Sequence, residues 1–261
     1  MLDQFKTAVY LDELHDDAIK ASDLLKDQAI RYAVLRNVWG PTNICNATND
    51  ACKALRDRLD VNQQTTIAIC SNLGVKPIED LHKTPDDDIH HALHIAAYFK
   101  SPYVRIGVGT GKYNHDAVSA WMDRITGKCI DYNVAPIYEP TNESALIEPI
   151  DIISHLKQYK RWKLQYDPAQ LILKKRFDPF VKYWMPLNKY VLAIDVRDFK
   201  MGQGFKPPGL GDAMIINTIK SAAANSYNGW LFLEPSLGRR YASAVSKVET
   251  FKLAMTALQS F

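Results

Sequence analysis

Cysteine is scarce in this chain, no apolar run approaches the length of a membrane span, and no stretch is dominated by charge of one sign. The four cysteines, Cys45, Cys52, Cys70 and Cys129, follow no zinc-ligand spacing. They are also too few for a disulfide scaffold in 261 residues, so reduced thiols packed in the core are expected. The opening MLDQFKTAVYLDELHDD has neither the basic head nor the apolar stretch of a secretory signal, which makes a cytoplasmic location the expectation. Formal net charge is +3, from 32 basic and 29 acidic residues scattered along the length. No basic arm calls for nucleic acid and no charged face calls for a membrane, so neither is an expected partner. What remains is an ordinary globular composition, 47% hydrophobic and 23% charged, long enough to bury a full core.

Short apolar runs ending in polar residues or glycine recur at 7–11, 32–38, 65–72, 103–109, 134–140, 163–168, 190–198 and 229–235. Segments with helical apolar spacing lie between them, such as DIHHALHIAAYFK and DAVSAWMDRITGKCI. Eight such units with a period of roughly 30 residues, in a total near the roughly 250 typical of the architecture, predict a single (β/α)8 TIM barrel over residues 1–261. A doubly wound open sheet would carry fewer strands and a phosphate-binding glycine signature after the first, which is missing.

In such a barrel the reactive residues stand at the carboxyl ends of the strands, and alternate side chains point inward. Ala135, Ile137 and Glu139 share one face of their strand; so do Gln165 and Asp167, then Val191, Ala193, Asp195 and Arg197, then Trp230, Phe232 and Glu234. Each of the last four strands therefore offers a carboxylate to the barrel mouth. Four converging carboxylates repel one another and take up protons unless a cation sits among them. An all-oxygen set favours a hard ion over zinc. The expectation is a Mg²⁺ or Mn²⁺ site made by Glu139, Asp167, Asp195 and Glu234. The competing reading is that these residues cap helices or pair with Arg and Lys. On that view Arg197 does no more than balance the carboxylates.

The successive endings IYEPTNES, LQYDPAQL, IDVRDF with the downstream PPGLGD, and LFLEPS resemble the xylose isomerase-like superfamily of sugar isomerases and epimerases. The resemblance runs from the first strand to the eighth and is strongest from Val134 to Glu234. It implies a carbohydrate substrate and metal ligation by Glu139, Asp167 and Glu234. The superfamily's strand-seven His-x-Lys-Asp frame reads Asp195-Val196-Arg197-Asp198 here, so an Asp replaces the usual His. Gln170 stands where many members carry a substrate- or metal-binding His. The implied chemistry is proton transfer beside a carbonyl through a metal-stabilised enediolate, with Glu139 and Glu234 as the acid/base pair. Arg197 would then hold an anionic or polyhydroxyl end of the substrate.

Other motifs carry less. RIGVGTGKYNHD fails the P-loop pattern, with Ile106 at the first glycine position and Tyr113 after Lys112; its glycines suit a mobile lid or a close backbone approach. His90 and His94 share a helix face without the Glu of a zinc-protease motif. Trp39, beside Asn37 and Asn43, and Lys206, in GQGFKPP, are candidates for the substrate mouth, whereas Trp230 and Phe232 read as core. Two alternatives to a sugar isomerase stay open. One is a diverged barrel that binds without catalysis. The other is an apurinic-site endonuclease-like hydrolase, disfavoured because histidine is missing from most strand ends. A symmetric homo-oligomer is the default for a soluble enzyme.

Overall fold

Each of the eight apolar runs forms a strand in the computed structural model, which describes residues 5–235 and 246–260. The ends of the expected 1–261 domain and Ser236 of LFLEPS lie outside the described residues. The strands are β1 (Lys6–Tyr10), β2 (Tyr32–Leu35), β3 (Thr65–Cys70), β4 (Tyr103–Arg105), β5 (Ala135–Tyr138), β6 (Lys163–Tyr166), β7 (Val191–Val196) and β8 (Trp230–Leu233). They pair in parallel, each with its neighbours in sequence, and β8 closes onto β1. The helices are α1 (Ala18–Asp27), α2 (Asn49–Val61), α3 (Asp86–Tyr98), α4 (His115–Asp131), α5 (Pro149–Gln158), α6 (Pro168–Leu173), α7 (Ile215–Ala224) and α8 (Lys247–Gln259). The chain is a (β/α)8 TIM barrel.

The period-two pattern explains the two cores. Inward residues Ala8, Tyr10, Val34, Ala68, Cys70, Ile137, Ala193 and Phe232 fill the barrel and are fully buried. Their neighbours, such as Val9, Ile69, Ile194 and Leu231, pack outward against the helices. Tyr10 meets Phe232 edge-on at 6.1 Å between ring centroids. All four cysteines are free thiols and three are buried.

β4 is shorter than its apolar run because Gly107 and Gly109 leave the ladder to pack on the loop after β3. Gly107 N donates to Leu73 O (2.8 Å) and Gly109 N to Gly74 O (2.8 Å). Gly74 has φ +73°, and a Cβ there would overlap the Gly107 carbonyl. The glycines thus bring two backbones together.

Several helix starts are capped by a side chain. Asp17 accepts from Ile19 N (2.8 Å) and Lys20 N (3.3 Å) at the start of α1. Asp17→Ala is expected to cost about 1 kcal/mol, read as a thermal midpoint about 2–4 °C lower.

His155 on α5 is fully buried. Its Nε2 lies 3.0 Å from the Tyr113 hydroxyl, and its ring stacks on His115 at 4.9 Å. Burial first, and His115 second, lower its pKa below the ordinary histidine value. The folded state therefore resists protonation: its stability is full above about pH 6.5, the unfolded value, and declines below it. Urea unfolding should show a larger loss of stability on acidification for the wild type than for His155→Gln. Equal losses would contradict a buried neutral imidazole.

Candidate active site

Glu139, Asp167 and Glu234 each follow the last residue of an inward-facing strand, and Asp195 lies within β7 opposite Phe232 in register. Arg197 comes two residues after Asp195, on the same face. All five are buried, Asp195 completely. Glu139, Asp167 and Asp195 each offer a carboxylate oxygen within 4.8 Å of the other two. No other group of three acidic, histidine or cysteine side chains gathers this way among the described residues. Glu234 stands outside that trio.

Three guanidinium groups thread the same mouth. Arg105 donates to Glu139, and Arg36 donates to Glu234 while its Nε holds Asp12 at 2.9 Å. Arg197 Nη1 bridges Asp167 Oδ2 (2.9 Å) and Glu234 Oε1 (3.3 Å). Among the described residues no guanidinium pairs with Asp195; its Oδ2 accepts from Gln165 Nε2 at 2.7 Å. Asp195 Oδ1 and Gln165 Oε1 are buried acceptors without a hydrogen-bond partner, and such groups are costly in a folded interior.

The electrostatics divide the carboxylates. Burial first, then Glu139, Asp167 and Glu234, raise Asp195 well above the ordinary carboxylate range. Burial likewise carries Asp167 up to about 7, against the pull of Arg197. Glu234 goes the other way: burial opposes its charge, but Arg197 and Arg36 outweigh burial and hold it down at about 2. The mouth therefore holds Glu234 ionised between Arg36 and Arg197, while Asp195 meets no guanidinium among the described residues.

Asp167 uses its two oxygens differently. Oδ1 caps α6 by accepting from Ala169 N (2.8 Å) and Gln170 N (3.3 Å), while Oδ2 faces Arg197. Asp198 points away from the mouth and organises the following loop. Its carboxylate accepts from the backbone N–H groups of Phe199, Gly209, Gly211 and Ala213 at 2.8–3.1 Å. A Cβ at Gly211 would overlap that carboxylate, so PPGLGD is a loop-building motif here.

The remaining candidates stand around the cluster. Gln170 is half-buried, and its Oε1 accepts from Asn142 N (3.2 Å), tying α6 to the loop after β5. Trp39 is half-buried in a small ribbon (Asn37–Trp39 with Thr42–Asn43) and packs against the helix-layer core. Lys206 is half-buried in a second ribbon, opposite Asp198 in register. None of the three contacts the carboxylates among the described hydrogen bonds and ion pairs. Neither His90 nor His94 belongs to a group of three possible metal ligands among the described residues; His90 pairs with Tyr132 (3.0 Å) and Lys128 (3.2 Å).

Four residues of the mouth escape a search for acids and histidines. Arg36 and Arg105 occupy inward positions by the same parity that selects the carboxylates. Tyr10 places its hydroxyl 2.8 Å from Gln165 Nε2 beneath the cluster. Phe205 lies 4.4 Å from the Arg197 guanidinium carbon and forms a cation–π lid over it.

Neither a protein-family model nor a curated protein sequence matches the chain. Its fold is that of the xylose isomerase-like TIM barrels. A xylose isomerase domain protein from Planctomyces limnophilus is 14% identical, over 98% of this chain and 96% of that one, with a TM-score of 0.73. D-allulose 3-epimerase from Methylomonas sp., in complex with D-allulose, is 13% identical over 98% and 96%, with a TM-score of 0.72. A xylose isomerase-like TIM barrel protein from Mycobacterium smegmatis, in complex with magnesium, is 15% identical over 98% and 95%, with a TM-score of 0.69. At such identities the likeness is one of fold.

Proposed function

We propose that the chain is a divalent-cation-dependent isomerase or epimerase of a sugar or sugar-like hydroxycarbonyl compound. The observation that carries this reading is the trio Glu139, Asp167 and Asp195, buried and within 4.8 Å of one another. The donor set fits a hard cation: every ligand atom is an oxygen, and Asp195 Oδ1 is buried without a hydrogen-bond partner. Mg²⁺ or Mn²⁺ is the expected ion, with Glu234 bordering the site. The magnesium and D-allulose complexes among the structures of the same fold support cation and substrate class alike.

When bound, the cation supplies Lewis-acid polarisation of a carbonyl and its neighbouring hydroxyl, which acidifies the hydrogen on the carbon beside the carbonyl. The chain's own groups then move the proton. Glu234, kept ionised by Arg36 and Arg197, accepts it, and Glu139 faces it from β5 as the second member of the acid/base pair. Arg197 Nε is a buried donor without a hydrogen-bond partner among the described residues, available to a substrate oxygen. Gln170, Trp39 and Lys206 border the entrance, where the polar ends of a polyol bind.

The test is solvent exchange. Protein supplied with Mn²⁺ and a panel of ketoses and aldoses in D2O should place deuterium on the carbon beside the carbonyl of one substrate, followed by NMR. Cation-dependent exchange is the expected result. No exchange on any member would favour the reading as a binding barrel whose carboxylates are neutralised by its own arginines.

A further inference from the structure

Two residues before each mouth carboxylate, the inward strand positions hold Ile137, Gln165, Ala193 and Phe232. All four are fully buried. Three are apolar, as the packed interior of a barrel favours. Gln165 is the exception, and a buried amide costs free energy unless its polar atoms are met. Its Oε1 has no hydrogen-bond partner among the described residues, so whatever favours an amide at this position acts through the nitrogen.

That nitrogen lies among three oxygens. Nε2 is 2.7 Å from Asp195 Oδ2, 2.8 Å from the Tyr10 hydroxyl and 3.3 Å from Glu139 Oε2. An amide nitrogen carries two hydrogens; Asp195 and Tyr10 accept the short bonds, and Glu139 makes the longer third contact. Ala193 lies opposite Gln165 in register, and its methyl group leaves the amide room to reach across β7 to Asp195. Tyr10 is itself fixed: it is fully buried, its ring is edge-on to Phe232, and the Arg36 guanidinium carbon stands 4.6 Å from its centroid. A rigid phenol thus braces the amide, and the amide touches two of the three carboxylates of the trio.

The consequence for Asp195 is a division between its oxygens. Oδ2 is held by Gln165, while Oδ1 is buried without a hydrogen-bond partner. A carboxylate with one oxygen tied back and the other free is the arrangement by which a neighbouring donor orients a metal ligand. Resting on the cation site proposed above, we infer that Gln165, braced by Tyr10, is a positioning residue that aims Asp195 Oδ1 at the cation. Gln165 acts through Asp195 and needs no contact with cation or substrate.

Calorimetric titration of metal-stripped protein with Mn²⁺ tests this role in Gln165→Leu, Tyr10→Phe and Ile137→Val. Leu keeps most of the volume of Gln and removes the donor, so Mn²⁺ affinity should fall about tenfold to a hundredfold, the usual cost of losing a group that orients a ligand. Tyr10→Phe keeps the ring and removes only the hydroxyl that braces the amide. Affinity should fall in the same direction there, and this variant decides the question if Gln165→Leu fails to fold. Ile137→Val trims the core at the same depth and should leave Mn²⁺ affinity unchanged, whatever it does to stability. Full affinity in Gln165→Leu, or in Tyr10→Phe where Gln165→Leu does not fold, would overturn the positioning role and leave the cation site standing. An equal loss in Ile137→Val would overturn it as well, because the loss would then report packing. No Mn²⁺ binding by the wild type would overturn the cation site itself, and the role of Gln165 with it.

Discussion

Glu234→Gln is expected to lower turnover about a hundredfold to ten-thousandfold, the usual weight of a general acid or base, on whichever substrate exchanges deuterium. Gln keeps the volume of the side chain and replaces the ionised oxygen that Arg36 and Arg197 hold. The variant then has no carboxylate at that position to take the proton. The proposed cation trio is Glu139, Asp167 and Asp195, so the variant should retain cation binding while losing proton transfer, and KM should move much less than kcat. Initial rates at saturating Mn²⁺ separate these effects. Wild-type turnover in the variant would remove Glu234 from the chemistry and leave Glu139 to act with another group.

Arg197→Met is expected to be the most destabilising substitution at the mouth. Arg197 is only 6% exposed and bridges two carboxylates that are themselves buried. Taking one partner from a buried ion pair typically costs about 3–5 kcal/mol, because the charge left behind has lost both water and counter-ion. Met preserves most of the packing volume, so the loss reports charge rather than a cavity. Lys206→Met, a few residues away on the adjoining ribbon, should change stability by less than about 0.5 kcal/mol. Urea unfolding of the three proteins measures both. If Arg197→Met matches the wild type, Asp167 and Glu234 are not charged together in the folded protein.

The architecture is legible in the sequence because each strand is an apolar run with a period of two and each helix a run with a period near 3.6. The same parity places Glu139, Asp167, Asp195 and Glu234 inward. It selects Arg36 and Arg105 as well, yet an arginine after a strand reads as solvated until the fold shows a carboxylate from another strand beside it. Arg105 and Glu139 are 34 residues apart, and Arg36 and Glu234 are 198 apart, so nothing local announces either pair. Asp198 and the glycines behind it were legible only as a frame. Their work in this chain, four backbone N–H groups converging on one carboxylate, is a matter of loop geometry that spacing does not encode.

The central claim is that Glu139, Asp167 and Asp195 form a cation site. Calorimetric titration of metal-stripped protein with Mn²⁺, beside the Asp195→Asn variant, tests it most directly. Asn keeps the shape and the Gln165 neighbourhood and removes one carboxylate oxygen from a ligand that meets no guanidinium among the described residues. Tight binding of one ion per chain, lost or greatly weakened in Asp195→Asn, is the predicted result. The absence of Mn²⁺ binding by the wild type, or binding that the variant retains in full, would contradict it.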